Sequence, residues 1–494
     1  ETCMLHLAGK AAVVAGAAGA VCFVHSKFRE NFDADITHTQ GAGLPLSALG
    51  NAINYLGTVC QEVTGKPLTT FKKSAFKVDE VFRKEVETYC ADLPSEQQES
   101  IIDQYRRLIE LFSEAENSSE RPLFSPLGKA MRAATMDRYL ENREAMLAYC
   151  TDPEHSFIID AITGRRSGDS RAEDCPDEEA RRRLLPVDAE NGLLVVTGMH
   201  RTGSTLLQRL LALDPSSRSP VTWEMMRSVP PVAQKEQLLD DARLESLEQD
   251  MAVVENYLCP GVWKKVNSTH LFTMSEHEED LIVLMQLMVP FYITFWHNHE
   301  PLPQHLLLAR DYHRFKCRFA HMWFQLAASN GYRPSSHWIT KNPDHAQYLD
   351  VFLEEFPNAN IVVTHRDPKK VVPSWSRILL VNHHYMLENK YKRLTADGAM
   401  DAAFGTTSKG LGEVCMRHMT TSVSRMMAAR DRIAISDADA ANERFYDACF
   451  SDLMRDPVAI IKDIYAKFGY DFTDEFRDRI EQYMAEHPRH KHGK

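Results

Sequence analysis

Apolar positions recur every three or four residues over Val78–Ala91 and again over Glu96–Glu116, among many charges, and this spacing predicts amphipathic helices. Text of this kind fills residues 46–160. From Asn191 the pattern changes to short β-rich runs alternating with helices, which predicts an α/β fold: a parallel sheet flanked by helices, with a helical N-terminal region before it. Three runs stand out as strands, Leu193–Thr197, His337–Thr340 and Asn360–Thr364, and each leads into a cation: Arg201, Lys341 and Arg366. Asn342-Pro343 and Asp367-Pro368 each pair a capping residue with a first-turn proline, so helices should start there. Beyond Lys341, Ala346, Leu349, Leu353 and Phe356 share one helix face that can pack on the sheet. Pro373 suggests a bend in the segment after Arg366, which would return Ser374 and Arg377 towards that arginine. Helix-like text between Pro230 and Gln325 reads as an insertion packed over the sheet edge. The expected organisation is therefore residues 1–45 as anchor and linker, 46–185 as the helical region, and 186–494 as the α/β domain with its insertion at about 230–325. Residues 26–45 and Gly164–Arg183 read as linkers, and Arg181-Arg182-Arg183 as a solvated helix face.

Composition narrows the function classes. The chain has 494 residues, 44% hydrophobic and 26% charged, with a net charge of −12. A general nucleic-acid binder would be basic, so no nucleic-acid partner is expected, and any anion site must be a local basic pocket. The ten cysteines include no CxxC pair, which argues against zinc, and no metal is expected. Asn117 and Asn267 fit the N-glycosylation acceptor pattern at a rate chance would supply. Leu5–Val24 has about the length of a membrane span, and Ala11–Val24 carries no charge, although Lys10 interrupts the run. A signal anchor, a signal-peptide core and a buried helix all fit it. We expect a membrane anchor and hence a membrane-associated protein, with the compartment (Golgi lumen or another organelle) and the oligomeric state open. The sequence opens on Glu1 and stops at Lys494, and whether the chain is complete at either end is open.

The most chemically specific stretch is Leu193–Thr205, LLVVTGMHRTGST. An apolar run ends at Gly198, Gly203 follows, and Ser204, Thr205, Leu206 and Leu207 open a helix. Such a loop turns backbone N–H groups and a helix N-terminus towards a phosphate. It is close to GxxxxGK[ST], but Ser204 stands where that triphosphate-binding motif needs Lys, and the cation sits earlier, at Arg201. Ligands of open α/β sheets bind beyond the carboxyl ends of the strands, so Arg201, Lys341 and Arg366 should share one rim.

The constellation resembles the P-loop sulfotransferases that use 3′-phosphoadenosine 5′-phosphosulfate (PAPS), in the broad bacterial-type branch related to the tyrosylprotein enzymes. Gly198–Leu207 is similar to the family's 5′-phosphosulfate loop, Trp338–His345 to its Lys-x-Pro segment, and Thr364–Ser374 to its 3′-phosphate segment; Phe450–Leu453, Asp456–Val458 and Ile464–Gly469 resemble its C-terminal region. The likeness runs from about Pro122 to the end. It implies PAPS as donor, held at Arg201, Thr202, Gly203, Ser204, Thr205 and Leu206 through its 5′-phosphosulfate and at Arg366 and Ser374 through its 3′-phosphate, with Arg377 nearby. It implies Lys341 at the sulfuryl or bridging oxygen and Glu224 as the general base, with Arg227 as partner or substrate contact. His200 and His277 are rival bases. The stretch His487–His492 matches a C-terminal stretch of the family rather than a metal site.

The expected activity is in-line transfer of a sulfuryl group to a hydroxyl or amine, with a sugar, lipid, phenol or peptide acceptor open. Two other readings stand beside it: a catalytically silent subunit of a membrane assembly that keeps the fold, and a P-loop kinase, which the missing Lys at position 204 disfavours.

Overall fold

A computed structural model describes residues 53–54, 72–116, 126–163, 192–267, 270–287, 309–386, 408–436 and 443–487. The segment Leu5–Val24, both linkers, Asn117 and residues 488–494 lie outside them. Among the described residues no helix is long and apolar enough to cross a membrane.

Four parallel strands form the sheet: β1 (Leu193–Gly198), β2 (Trp338–Lys341), β3 (Asn360–His365) and β4 (Phe445–Cys449), in the order β2-β1-β3-β4. The register sets Val196 beside Lys341 and Gly198 beside Thr364, so the ends of β1, β2 and β3 share one rim. The chain leaves β1 towards β2 and then crosses back to β3 on β1's other side. The loop after β1 thus lies at the point where strand order reverses, the place such sheets reserve for ligands.

Both faces of the sheet are covered, which is why β1 is an unbroken apolar run. Leu193 and Val195 point into one core; Leu194 and Val196 point into the other. The first core also takes Phe82, Tyr105 and Ile158, so the N-terminal helices Lys72–Tyr89, Ser95–Glu116, Pro126–Thr151 and Phe157–Thr163 are part of the sheet's own core. Polar contacts fix the same junction. Arg143 and Glu85 form a fully buried ion pair at 2.5 Å, and Arg318 donates to Asp92 at 2.7 Å and to Glu355 at 2.7 Å.

The 230–325 stretch departs from expectation. Its last helix, Arg310–Ala327, is buried at every position from Tyr312 onward except Arg314, and it packs in the same core as β1 and β2. It is the covering helix of the β1-to-β2 crossover rather than an edge insertion. Cys90, Cys150, Cys259, Cys317, Cys415 and Cys449 are all free thiols.

Candidate functional site

The loop after β1 is built on three left-handed residues, Gly198 (φ 127°), Arg201 (φ 67°) and Gly203 (φ 89°). At two of them glycine is needed for space as well as for φ. A Cβ on Gly198 would lie 2.6 Å from the Thr364 carbonyl oxygen, and one on Gly203 would lie 2.7 Å from the Phe450 ring. The Thr202 hydroxyl donates to the Met199 carbonyl at 2.6 Å and lies 2.5 Å from the Thr364 hydroxyl, stapling the loop to β3. The helix Ser204–Leu211 follows, and its first internal bond runs from Leu207 N–H to the Gly203 carbonyl at 3.0 Å. The amides of Ser204, Thr205 and Leu206 therefore stand outside the helix's own ladder, as an anion site requires.

Two guanidinium groups converge here. Arg366 donates to the Arg201 carbonyl at 3.0 Å and lies 4.1 Å over the Phe450 ring, while Arg201 Nε donates to the Ser374 hydroxyl at 3.0 Å. Among the described residues no carboxylate is within ion-pair distance of Arg366. Burial, and then the Arg366 charge, pull the Arg201 guanidinium below its ordinary value, an effect that a bound anion would reverse. Ser374 reaches the loop because the helix Pro368–Met386 starts straight after Asp367 and runs on through Pro373, so no break is needed. Arg377 is exposed and is not among the residues that line the cavity described below.

Lys341 ends β2 with its side chain fully buried. Its Nζ donates to the Thr205 hydroxyl at 3.0 Å, pairs with Glu279 and lies 3.6 Å from Glu278. The acidic run Glu278-Glu279-Asp280 is held there by Asp280. The Asp280 N–H donates to the Lys341 carbonyl at 3.2 Å, and its carboxylate accepts from Thr340 at 2.8 Å, Asn342 at 2.6 Å and His345 at 2.8 Å.

A cavity of about 450 Å³ opens over these groups. Arg201, Gly203, Ser204, Thr205, Leu206 and Arg366 line it; Thr202, Lys341 and Ser374 sit directly behind that lining. The structure thus brings nine of the ten proposed site residues to one place, and the tenth, Glu224, elsewhere. Glu224 is buried outside the cavity lining, with one carboxylate oxygen 2.7 Å from Arg218 and the other accepting the Val221 N–H at 3.0 Å. It closes the first turn of a short helix and neutralises a buried arginine. Arg227 faces Glu141 instead, at 3.7 Å. We expect Glu224→Gln to lower stability by about 3 kcal/mol, because it strips a buried arginine of its counter-ion, and to leave kcat of the folded enzyme unchanged. Thermal unfolding and initial rates on one preparation check both halves.

The rival bases fare unequally. His277 is fixed to the Ser219 carbonyl at 3.0 Å and does not line the cavity. His200 does line it, but it stacks on Trp375 at 4.3 Å, and burial pushes its pKa well below the ordinary value. His270, which sequence patterning did not single out, lines the cavity and bonds to Glu278 at 2.7 Å. Asn267, the acceptor of one glycosylation pattern, uses its side-chain oxygen to take the Phe272 N–H at 2.8 Å. His200, Asp344 and His418 offer ligand atoms within 4.8 Å of one another. The His418–Asp344 separation of 3.9 Å exceeds the ~3.4 Å of two ligands sharing a tetrahedral zinc at ~2.1 Å. Instead, the Gln347 amide donates to Asp344 at 3.0 Å and lies 3.4 Å from His418.

The sulfotransferase family model matches residues 194–474, from the second residue of β1 to the last helix. The chain belongs to the sulfotransferase family. As a sulfotransferase it moves a sulfuryl group to an acceptor, and the loop, the two arginines and Lys341 fall inside the matched span. The omega-hydroxy-beta-dihydromenaquinone-9 sulfotransferase Stf3 of Mycobacterium bovis is 24% identical to it over 303 residues, 60% of this chain and 68% of its own. The Stf3 of Mycobacterium tuberculosis matches with the same values. Among solved structures, the fold is similar to that of sulfotransferase STF9 from Mycobacterium avium (TM-score 0.56, 21% identity, 83% of this chain and 88% of that one). It is also similar to that of STF1 from Mycobacterium tuberculosis (TM-score 0.55, 20% identity, 87% and 92%).

Proposed function

We propose that this sulfotransferase takes its sulfuryl group from PAPS and passes it to the hydroxyl of an acceptor with a substantial apolar part. The observation that carries the donor reading is the convergence of Arg201 and Arg366 on a loop whose helix amides point the same way, with Lys341 across from them. A donor with two separated anionic groups suits two separated cations. The amides of Ser204, Thr205 and Leu206, together with Arg201, would hold the 5′-phosphosulfate, and Arg366 the 3′-phosphate. Lys341 would leave Glu279 for the sulfuryl or bridging oxygen, where charge builds as the S–O bond breaks. Transfer then depends mainly on positioning and charge neutralisation, as in phosphoryl transfer.

The acceptor reading rests on the rest of the wall. Leu271, Phe272, Leu281, Ile282, Met285 and Ile378 line the same cavity as the polar loop. A relative named for an omega-hydroxy menaquinone points the same way. The test offers the full-length protein 35S-labelled PAPS with long-chain and isoprenoid alcohols, phenols, sugars and a tyrosine peptide. Label should appear in the organic extract as an apolar sulfate ester. Label confined to sugars or peptide would overturn the acceptor reading. No transfer, with no binding of adenosine 3′,5′-bisphosphate, would overturn the donor reading as well.

A further inference from the structure

We propose that His270 is the general base of the transfer, with Glu278 as its positioning residue; this rests on the PAPS-dependent reading above. The two side chains form a dyad on the cavity wall, His270 Nε2 lying 2.7 Å from Glu278 Oε2. The other oxygen of the same carboxylate, Oε1, lies 3.6 Å from Lys341 Nζ. One carboxylate therefore spans the gap between the cation assigned to the sulfuryl group and the imidazole. An acceptor hydroxyl lying over Lys341 comes within reach of His270.

The tautomer follows from the pairing. Glu278 Oε2 faces His270 Nε2, and its Oε1 accepts the Glu279 N–H at 3.0 Å and lies 3.6 Å from Lys341 Nζ, so the carboxylate sits among donors. His270 Nε2 must then carry the proton, which leaves the lone pair on Nδ1, the division of labour of a base oriented by a carboxylate. The imidazole keeps 22% of its side-chain surface and Glu278 only 4%, so the imidazole is the more open of the two.

Both residues are pinned to the phosphate-binding helix Ser204–Leu211. Gln208 donates to the Glu278 carbonyl at 3.0 Å, and Arg209 donates to the Leu271 carbonyl at 2.9 Å, next to His270. The His270 backbone N–H donates to the Val266 carbonyl at 2.8 Å. Hydrogen bonds thus tie the dyad to the helix that follows the donor loop. Glu279 also lines the cavity and is freed when Lys341 turns to the sulfuryl group, so it is the rival base; in that case both His270 variants below would keep the wild-type kcat.

In the transfer, the acceptor O–H proton passes to His270 Nδ1 as the acceptor oxygen bonds to sulfur. The bond from sulfur to the bridging oxygen breaks, and its electron pair leaves on the 5′-phosphate of adenosine 3′,5′-bisphosphate. Glu278 balances the imidazolium.

Two variants separate base from scaffold. H270Q keeps an N–H for Glu278 but cannot take a proton at this pH; H270A keeps neither. We expect both to lower kcat by about 10²-fold with the Kd for adenosine 3′,5′-bisphosphate unchanged, and added imidazole to restore part of the H270A rate. Near wild-type kcat in H270Q beside a slow H270A would overturn the proposal, because His270 would then be only a donor to Glu278. Unchanged kcat in both, or loss of bisphosphate binding in both, would overturn it too. If wild type itself transfers nothing, the PAPS reading fails and the base with it; if wild type is active and these variants match it, the base alone fails.

Discussion

Lys341→Met is expected to lower kcat by about 10³-fold while leaving the affinity for adenosine 3′,5′-bisphosphate near wild type. Methionine keeps the buried stem filled, so the change isolates the charge. Lys341 is fully buried and its Nζ has three neighbours: Thr205 of the loop, Glu279 and Glu278. The ammonium is therefore already at the level of the loop amides and needs only to exchange Glu279 for a sulfuryl oxygen. Low surrounding dielectric makes such a contact strong, and a 10³-fold loss corresponds to about 4 kcal/mol of transition-state stabilisation. The bisphosphate product lacks the sulfuryl group, so it should not register the loss. A Kd for the bisphosphate that rises as steeply as kcat falls would place Lys341 on a phosphate instead, and an unchanged kcat would remove it from the transfer.

That lysine was legible in the sequence for the same reason the sheet was. Strands covered on both faces must be apolar throughout, so β1 and β3 stand out as runs, and the first polar residue past a run marks the rim. β4, Phe445–Cys449, carried no such mark, because as an edge strand it exposes Cys449 and leaves Tyr446 and Asp447 part-buried or open. The glycines of the loop were legible because only glycine fits a left-handed turn against a neighbouring strand. The left-handed φ of Arg201 was not, since an arginine gives no hint of it.

Glu224 shows what a matching motif position leaves open. A carboxylate three residues into a short helix can cap that helix or catalyse, and the difference is decided by Arg218, whose side chain folds back from six residues earlier. His270 and Glu278 had the opposite problem. The acidic run Glu278-Glu279-Asp280 is plain in the sequence, yet nothing local says which carboxylate meets Lys341 and which meets a histidine eight residues upstream. Long-range bonds from Asp280 to Thr340, Asn342 and His345 make that choice.

Arg366→Ala should weaken binding of adenosine 3′,5′-bisphosphate by about 10²- to 10³-fold, equivalent to losing a bidentate charge-assisted contact of ~3–4 kcal/mol. Two roles are entangled in this residue. Its guanidinium is free of carboxylate partners among the described residues, which suits a 3′-phosphate, but it also props the loop through the Arg201 carbonyl and rests on Phe450, which in turn packs against Gly203. Comparing two ligands separates them. Adenosine 5′-monophosphate shares the 5′ group but lacks the 3′-phosphate, so it should bind Arg366→Ala almost as it binds wild type if Arg366 holds the 3′-phosphate. An equal loss for both ligands would mean that Arg366 serves by shaping the loop. Arg366→Lys sharpens the contrast: it restores a charge without the planar fork or the stack on Phe450, and should recover only a fraction of the bisphosphate affinity. Full recovery by lysine would show that charge alone suffices and that the fork does not read the phosphate.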